Sequence, residues 1–301
     1  MARPLELAMD GRSIVILSPG WRGDAAGEIY RLDLDGPLPA DLSRRPAVRI
    51  PFSDPRAATL GSLAVDPRTR ELYLGDENGG RVWRLTGDEQ LTLYASGLHR
   101  LVGGAALAFD ARGRLLIVDF ADPLLSEGEQ RPPAGLEQFR DEDYRGPLVF
   151  RVTLDPTIPL PRRLATSPPL FPRAWGGKAG GAHLPRLISL VPRGEDVLLL
   201  SSSGDVHRLA PDGSLSVFTR MPRGQYTRTH MLAAPDGSVF VSGGFQVGSV
   251  FRIDADGIVS VVASHLADPQ GIALDDRGHL YLAESSFHRI LKLTIPRPSR
   301  P

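Results

Sequence analysis

PQGIALDDRGHLYLAESSFHRILKL, residues 269–293, contains the pattern that decides the fold. A run of small apolar residues is followed by a turn with Asp and Gly, a second apolar run and a polar loop. The pattern recurs clearly from Gly61, Gly103 and Thr229, and more weakly from Leu5 and Arg186. Most equivalent turns are roughly 40–45 residues apart, which is typical of repeats made of several short strands. The repeats therefore predict an all-β fold, a β-propeller in which each copy is one blade.

Most copies contain a succession of runs that suits the strands of one blade. The first run is dense and apolar, which suits an innermost strand buried on both faces. A third run alternates polar and apolar residues, as a strand exposed on one side should, for example Arg81–Leu85. Outermost strands are expected at Leu91–Tyr94, Leu215–Phe218 and Ile258–Val262. After Ile295 no run remains for a fourth strand, so either the last blade has three strands or the N-terminal segment pairs differently.

The interval between the third and fourth copies is longer than one repeat. Strands at Leu148–Leu154 and Arg163–Ala165 are expected to complete the third blade, which leaves insertions at about residues 121–146 and 167–185. Both insertions are rich in Pro, Gly and charged residues, which favours surface loops over a seventh blade. We predict one domain over residues 1–301, a six-bladed β-propeller with long insertions on its top face, where the innermost strands begin.

Composition excludes several classes of function. The chain has no Cys, which rules out thiolate nucleophiles, thiolate metal sites and disulfides. Its 35 Lys and Arg balance 35 Asp and Glu, so it lacks the basic surface of a nucleic-acid-binding protein. No apolar run approaches the length of a membrane span, and the charged first residues are not expected to act as a secretory leader. We expect a cytoplasmic protein without nucleic-acid or membrane partners, and the oligomeric state stays open.

The copies differ most where the innermost strands begin, at the mouth of the central channel. Late blades present Arg186, Thr229, His230 and Gln270 there, whereas early blades present Gly or Ala. One polar wall beside an open side is typical of a small-molecule site. We predict that His230 moves a proton and that Arg186 holds an anionic or carbonyl oxygen. A single His is also often only a hydrogen-bonding residue of the core.

Further candidates flank this wall. Tyr226 is predicted to act with the catalytic pair His230 and Arg186. A loop that could serve as a lid, residues 175–181, begins with an aromatic side chain. The predicted substrate-binding residues are Thr229, Gln270, Arg228, Trp175, Ser62 and Phe245.

Three acidic residues occupy one equivalent position, the end of the second strand of a blade. They are Asp76, Asp119 and Glu284. A recurrent acid at such a position favours a structural role, in which the carboxylate accepts backbone N–H bonds. The alternative is a ring of carboxylates that binds a divalent cation, calcium or magnesium. We expect no cofactor, with this cation as the open alternative.

The copies from Gly61, Gly103 and Pro269 resemble the NHL-repeat and SMP-30/gluconolactonase group of six-bladed propellers. This resemblance implies a divalent cation at the channel, held by a Glu, Asn side chains and the Asp of a PDG motif. Here Pro269-Gln270-Gly271 matches that motif, so Gln replaces the Asp, and the only Asn in the chain is Asn78. Glu6 falls at a different position from the family's Glu when the copies are aligned on their turns. The usual metal site is therefore expected to be absent.

Three functions remain in competition. The residues favour a small-molecule enzyme with metal-independent acid/base chemistry, of the lyase, cyclase or hydrolase type. The first alternative is a metal-dependent lactonase or esterase of the SMP-30/gluconolactonase type. The second is a propeller that binds a ligand or a protein without catalysis.

Overall fold

The protein is a six-bladed, all-β propeller, as the repeats predict. The computed structural model describes residues 3–19, 27–42, 48–50, 59–76, 79–98, 106–119, 148–164, 169–171 and 187–295. Within these ranges the strands form six sheets, and strands that follow one another within a blade pair antiparallel. A short 3-10 helix, Ser285–Phe287, interrupts the last blade. No helix in the described ranges is both long and apolar enough to cross a membrane.

The blades follow the chain in order. Blade one contains β1 (Glu6–Asp10), β2 (Ser13–Ser18), β3 (Glu28–Asp33) and β4 (Val48–Arg49). Blade two contains β5 (Leu60–Val65), β6 (Leu72–Asp76), β7 (Arg81–Leu85) and β8 (Leu91–Ser96). Blade three contains β9 (Leu107–Phe109), β10 (Arg114–Asp119) and β11 (Leu148–Thr153), and β12 (Arg162–Arg163) follows it. Blade four contains β13 (Leu187–Arg193), β14 (Asp196–Ser201), β15 (Asp205–Leu209) and β16 (Leu215–Arg220). Blade five contains β17 (Met231–Ala233), β18 (Val239–Ser242), β19 (Ser249–Ile253) and β20 (Val259–Ser264). Blade six contains β21 (Pro269–Leu274), β22 (His279–Glu284) and β23 (Arg289–Thr294).

The three predicted outermost strands are confirmed as β8, β16 and β20, but one prediction about blade three is wrong. Arg162 and Arg163 do not complete that blade; they pair parallel with Ala95 and Ser96 of β8 in blade two. The predicted insertions at 121–146 and 167–185 lie outside the described residues apart from 169–171. In that short piece, Phe171 forms a bridge with Val149 of β11.

The ring closes where blade six meets blade one. Blade six has three strands in the described part of the chain, and β1 pairs with β2 of its own blade. The backbone N–H of Gly271 donates to the carbonyl oxygen of Leu5 at 2.8 Å, which joins the two innermost strands. Tyr281 of blade six packs in one buried cluster with Leu7 and Ile16 of blade one. Closure therefore uses strand contact and apolar packing, without a strand exchanged between these blades among the described residues.

In three of the repeats, an aspartate stabilises the turn that follows the innermost strand. One carboxylate oxygen of Asp66, Asp110 and Asp275 accepts the backbone N–H two residues later, at 2.8–3.0 Å. Asp is favoured in turns because its side chain can hydrogen-bond in this way. The recurrent Asp therefore fixes the turn at the C-terminal end of these innermost strands. The residues at the N-terminal ends of the innermost strands can then differ from blade to blade.

Candidate functional site

Glu6 and His230 meet where two innermost strands begin. Glu6 is the first residue of β1, and His230 immediately precedes β17. His230 Nδ1 lies 2.7 Å from Glu6 Oε2, and the Glu6 side chain is wholly buried. The residues are far apart in the sequence, and the radial arrangement of the blades brings them together. His230 is among the site residues that the sequence predicts, whereas its carboxylate partner Glu6 is not.

Backbone hydrogen bonds fix the position of His230. Its backbone N–H donates to Ser242 Oγ at 2.8 Å, and its carbonyl oxygen accepts the Ser242 N–H at 3.0 Å. The N–H of the next residue, Met231, donates to Ser189 Oγ of blade four at 3.0 Å. Both serines are fully buried. The histidine is therefore held by its own blade and by the preceding one, which limits the positions that its ring can adopt.

The electrostatics of this pair are dominated by burial. Removal from water raises the pKa of the Glu6 carboxyl above its usual value of 4.5, and the attraction and hydrogen bonding of His230 only partly oppose that shift. Burial disfavours the charged form of a carboxyl group. The charged form of Glu6 therefore requires that His230 Nδ1 carry a proton, so that this nitrogen can donate a hydrogen bond to the carboxylate or bring a positive charge next to it.

The raised pKa of Glu6 makes stability depend on pH. A group whose pKa is higher in the folded state stabilises the fold fully below 4.5, its unfolded value, and less as pH rises through the folded pKa. We expect the wild type to lose stability relative to Glu6→Gln as pH rises above 4.5. The free energy of unfolding of both proteins would be measured by urea titration. Replacing exposed Glu89 by Gln is the control. A difference that stayed constant with pH would contradict the raised pKa.

A second buried group lies at the start of β21. Asp268 Oδ2 accepts bonds from Gln270 Nε2 at 2.7 Å and Arg3 Nη2 at 3.1 Å. Arg3 Nε also donates to Ser285 Oγ at 3.1 Å. Asp268 has a left-handed backbone, with φ of 56°, which is uncommon for a residue other than Gly. These contacts orient the Gln270 amide, because its NH2 group is committed to Asp268.

Buried acceptors outnumber donors here. Among the described residues, no hydrogen-bond partner is found for Gln270 Oε1, Asp268 Oδ1, Thr229 Oγ1 or Glu6 Oε1. All four side chains are at least 97% buried. Buried polar atoms without partners are rare and costly in folded proteins. We call Glu6, Thr229, His230, Asp268 and Gln270 the channel site, and its chemistry suits a ligand that brings hydrogen-bond donors.

A cavity of about 460 Å³ runs along the innermost strands from His230. Its other walls are almost entirely apolar, with Leu7, Leu107, Val191 and Ile272 among them. His230 lines this cavity, and its Nδ1 faces Glu6, which leaves Nε2 as the ring nitrogen that is not directed at that carboxylate. This second nitrogen of the ring is therefore the atom available for proton transfer to a bound molecule.

The other predicted site residues occupy varied places. Ser62 is fully buried on β5, Arg228 is partly buried with φ of 53°, and Phe245 is 65% exposed. Arg186 and Trp175 lie outside the described residues. Of the predicted residues, the structure brings Thr229, His230 and Gln270 to the beginnings of the innermost strands of blades five and six.

Tyr226 lies in the apolar core. It is fully buried in the apolar cluster of blades four and five, and its hydroxyl donates to the carbonyl oxygen of Pro222 at 2.7 Å. Burial raises the pKa of Tyr226 to about 12. A phenol that is engaged in this way and protonated at neutral pH fits a packing role, so we leave it out of the proposed chemistry.

The recurrent carboxylates are tied into their own blades. Asp76 accepts the N–H groups of Thr59 and Gly79 and two bonds from the Arg81 guanidinium, all at 2.7–3.1 Å. Glu284 repeats the device: its oxygens accept the Ala267 N–H at 2.8 Å and Arg289 Nε at 2.5 Å. The structural interpretation of the recurrent acid is confirmed for these two residues. Asp119 is also fully buried.

Asp76→Asn is expected to lower the free energy of unfolding by about 1–3 kcal/mol, because the buried Arg81 bonds lose their charged acceptor. The free energy would be measured by urea denaturation. Ligand binding at the channel is expected to be unchanged. Asp212→Asn, in an exposed turn, is the matched control. Loss of binding with intact stability would instead assign Asp76 to the site.

The donor set does not fit the cation that the family resemblance implies. In the described ranges, no group of three or more His, Asp or Glu side chains could hold a metal ion, so Asp76, Asp119 and Glu284 do not converge on one. The channel site offers Glu6 as its one carboxylate not engaged by Arg, and neutral Gln270 stands where the family has Asp. Calcium and magnesium prefer several carboxylate and carbonyl oxygens.

Comparison with known proteins supports the fold. No protein-family model matches the sequence, and neither does any curated protein. Virginiamycin B lyase from Staphylococcus aureus is similar at 13% identity and a TM-score of 0.58, over 98% of this chain and 96% of the lyase. A gluconolactonase from Xanthomonas campestris is similar at 16% identity and a TM-score of 0.61, over 98% of this chain and 86% of that enzyme. A catalytically inactive His-to-Ala virginiamycin B lyase with quinupristin matches at 12% identity and a TM-score of 0.57, over 98% and 95% of the two chains. The chain therefore shares the six-bladed β-propeller fold of these enzymes.

Proposed function

We propose that this protein is a small-molecule enzyme that uses metal-independent acid/base chemistry at the channel site. The 2.7 Å contact between His230 Nδ1 and the wholly buried carboxylate of Glu6 carries this proposal. A carboxylate at one ring nitrogen orients a histidine and stabilises its protonated form. The other nitrogen is then the one that exchanges a proton with substrate.

The proposed step is a proton transfer at His230 Nε2. As base, Nε2 accepts a proton from a substrate C–H or from a water, and the electron pair left behind forms the new double bond or the new C–O bond. The Glu6 carboxylate balances the imidazolium charge in its buried site. As acid, Nε2 returns the proton to the leaving oxygen. Acid/base catalysis of this kind typically contributes about 10²–10⁴-fold to the rate.

Thr229 and Gln270 are proposed to orient the substrate. Their oxygens are buried without partners in the described structure, so a substrate hydroxyl or amide N–H is the complementary group. Arg228, Ser62 and Phe245 remain candidate contacts on the same side of the propeller. Arg186 and Trp175 remain predictions from the sequence, as does a cytoplasmic location.

The structural neighbours guide the choice of substrates. One is a lyase, for which a His-to-Ala variant is described as catalytically inactive, and another is a gluconolactonase. Cyclic esters are therefore the first class to test, with quinupristin and gluconolactone as two members. Low identity limits this support to the shared fold, so the panel also includes simple esters such as phenyl acetate.

Mass spectrometry of the products tests the function and separates its variants. Elimination opens the ring at unchanged mass, whereas hydrolysis adds one water. Turnover that survives EDTA and requires His230 supports the proposal. Activity lost with EDTA and restored by calcium or magnesium supports the lactonase-type alternative. Saturable binding without turnover, unaffected by His230→Ala, supports a binding propeller and overturns the enzymatic proposal.

A further inference from the structure

A second cavity lies away from the channel, between blade two and the segment that follows β11. Its volume is about 440 Å³, which is within the range of small-molecule sites. Tyr73, Tyr94, Leu154 and Ile158 provide apolar walls, and Arg84 and Arg162 also line it. We call this cavity the inter-blade pocket. It shares no lining residue with the channel cavity.

Three buried donors of this pocket have no acceptor. They are the Tyr94 hydroxyl, Arg84 Nε and Arg162 Nε, each without a hydrogen-bond partner among the described residues. Tyr94 is 3% exposed and Arg162 is 8% exposed. The central carbon of the Arg162 guanidinium lies 5.6 Å from the centre of the Tyr94 ring, so these two side chains are neighbours. Unsatisfied buried donors are costly, and a cluster of them is explained by an acceptor that binds there.

The acidic residues around the pocket do not supply that acceptor. Asp66 is committed to its own turn through Arg68 N–H and Thr69 Oγ1, at 2.8 and 3.0 Å. Asp155 Oδ1 likewise accepts Thr157 N–H and Oγ1, at 2.9 and 2.7 Å. The Asp155 carbonyl oxygen accepts Arg162 Nη2 at 2.7 Å, which leaves Arg162 Nε as the unpartnered donor of that guanidinium among the described residues. The remaining carboxylate is Glu71, which forms a loose ion pair with Arg84, its oxygen 3.9 Å from Arg84 Nη1. This distance exceeds a hydrogen bond, so Glu71 leaves the donors available.

We propose that the inter-blade pocket binds a small organic carboxylate with a compact apolar body. The carboxylate would accept from Tyr94 and from the two guanidinium groups, which suit carboxylates in geometry and charge. The apolar body would lie against Tyr73, Leu154 and Ile158. Arg162 follows the stretch 154–160 and pairs with blade two at β8, so such a ligand would join blade two to the chain that leaves blade three.

Calorimetric titration of the full chain tests this site with three compounds. Sodium benzoate carries both features, benzamide has the same shape without the charge, and inorganic phosphate has the charge without the apolar body. We expect saturable benzoate binding at about millimolar or tighter, since small fragments rarely exceed that range by much. Benzamide and phosphate should bind at least about tenfold more weakly. Equal binding of phosphate would overturn the requirement for an apolar body, and absence of benzoate binding would overturn the site.

Variants assign the binding to the named residues. Tyr94→Phe removes only a hydroxyl that has no partner, so it should fold normally and weaken benzoate binding about tenfold. Glu71→Gln removes the nearest negative charge and should tighten binding about two- to threefold. Tyr30→Phe, in blade one, is the control and should bind as the wild type does. Unchanged affinity in Tyr94→Phe and Glu71→Gln would contradict the assignment.

Discussion

His230→Ala is expected to lower kcat about 10²–10⁴-fold on any substrate that the protein turns over, with little change in substrate affinity. The alanine removes the only proposed proton carrier, while the backbone bonds to Ser242 that position residue 230 do not depend on the side chain. Steady-state kinetics on the best panel substrate give kcat, and calorimetry on the same substrate gives affinity. The effect should persist across pH, because the proposal assigns the proton transfer to the imidazole alone.

A second histidine provides the control for this variant. His265 is exposed, with its Nδ1 only 3.0 Å from Ser264 Oγ, and its left-handed backbone is one that Asn tolerates. His265→Asn should retain wild-type kinetics. If His230→Ala kept full activity, the proton would have to be moved by another residue and the channel site would have no catalytic role.

Gly271→Ala is expected to lower the free energy of unfolding by about 4 kcal/mol or more, the largest stability effect we predict. A methyl group at this position would lie 2.6 Å from Leu7 N and 2.7 Å from both Glu6 Cα and Leu5 O. These are backbone atoms of the neighbouring innermost strand, so no side chain can rotate to make room. The contact also carries the hydrogen bond that joins blades six and one.

Chemical denaturation followed by circular dichroism measures this loss. Gly87→Ala is the matched control, because no atom lies within 4 Å of a methyl group there. It should change stability by less than about 0.5 kcal/mol. A Gly271→Ala protein as stable as Gly87→Ala would mean that blades one and six are farther apart than described.

The fold was readable from the sequence because each blade repeats the same local signals. Asp and Gly in the turns, small residues in the innermost strand and alternation in the third strand all point to the same unit. β12 was misassigned because two residues carry no periodicity. Its partner in blade two is chosen by tertiary contacts, which the local sequence does not encode.

The sequence does not predict Glu6 as a site residue, because the first turns of the blades differ in length. Blade one closes its first hairpin between Asp10 and Ser13, whereas the corresponding turn in blade five extends from Ala234 to Ser238. Aligning the copies on their turns therefore shifts β1 by one residue. In a strand, a slip of one residue moves every side chain to the opposite face. Aligning the copies on the end of the second strand, where Ser18 corresponds to Ser242, gives the correct register.

The polar wall of late blades was predicted because residues that differ between copies are not needed for the shared fold. Thr229, His230 and Gln270 differ from their counterparts in other blades and lie at the candidate site. The recurrent residues Asp76 and Glu284 instead stabilise their own blades. Tyr226 shows where the rule is weak. Its closeness in sequence to the wall is the only signal that predicts a catalytic role, but the side chain of a loop residue can equally turn into the core, as that of Tyr226 does.

A double-mutant cycle on Glu6 and His230 tests the central claim most directly. Glu6→Gln, His230→Gln and the double variant would be compared with the wild type by kcat/KM on one substrate. If the buried carboxylate acts through the histidine, the double variant should be no slower than His230→Gln alone, since the two residues work as a unit. Losses that multiply in the double variant, or full activity in Glu6→Gln, would show that the 2.7 Å contact has no part in catalysis.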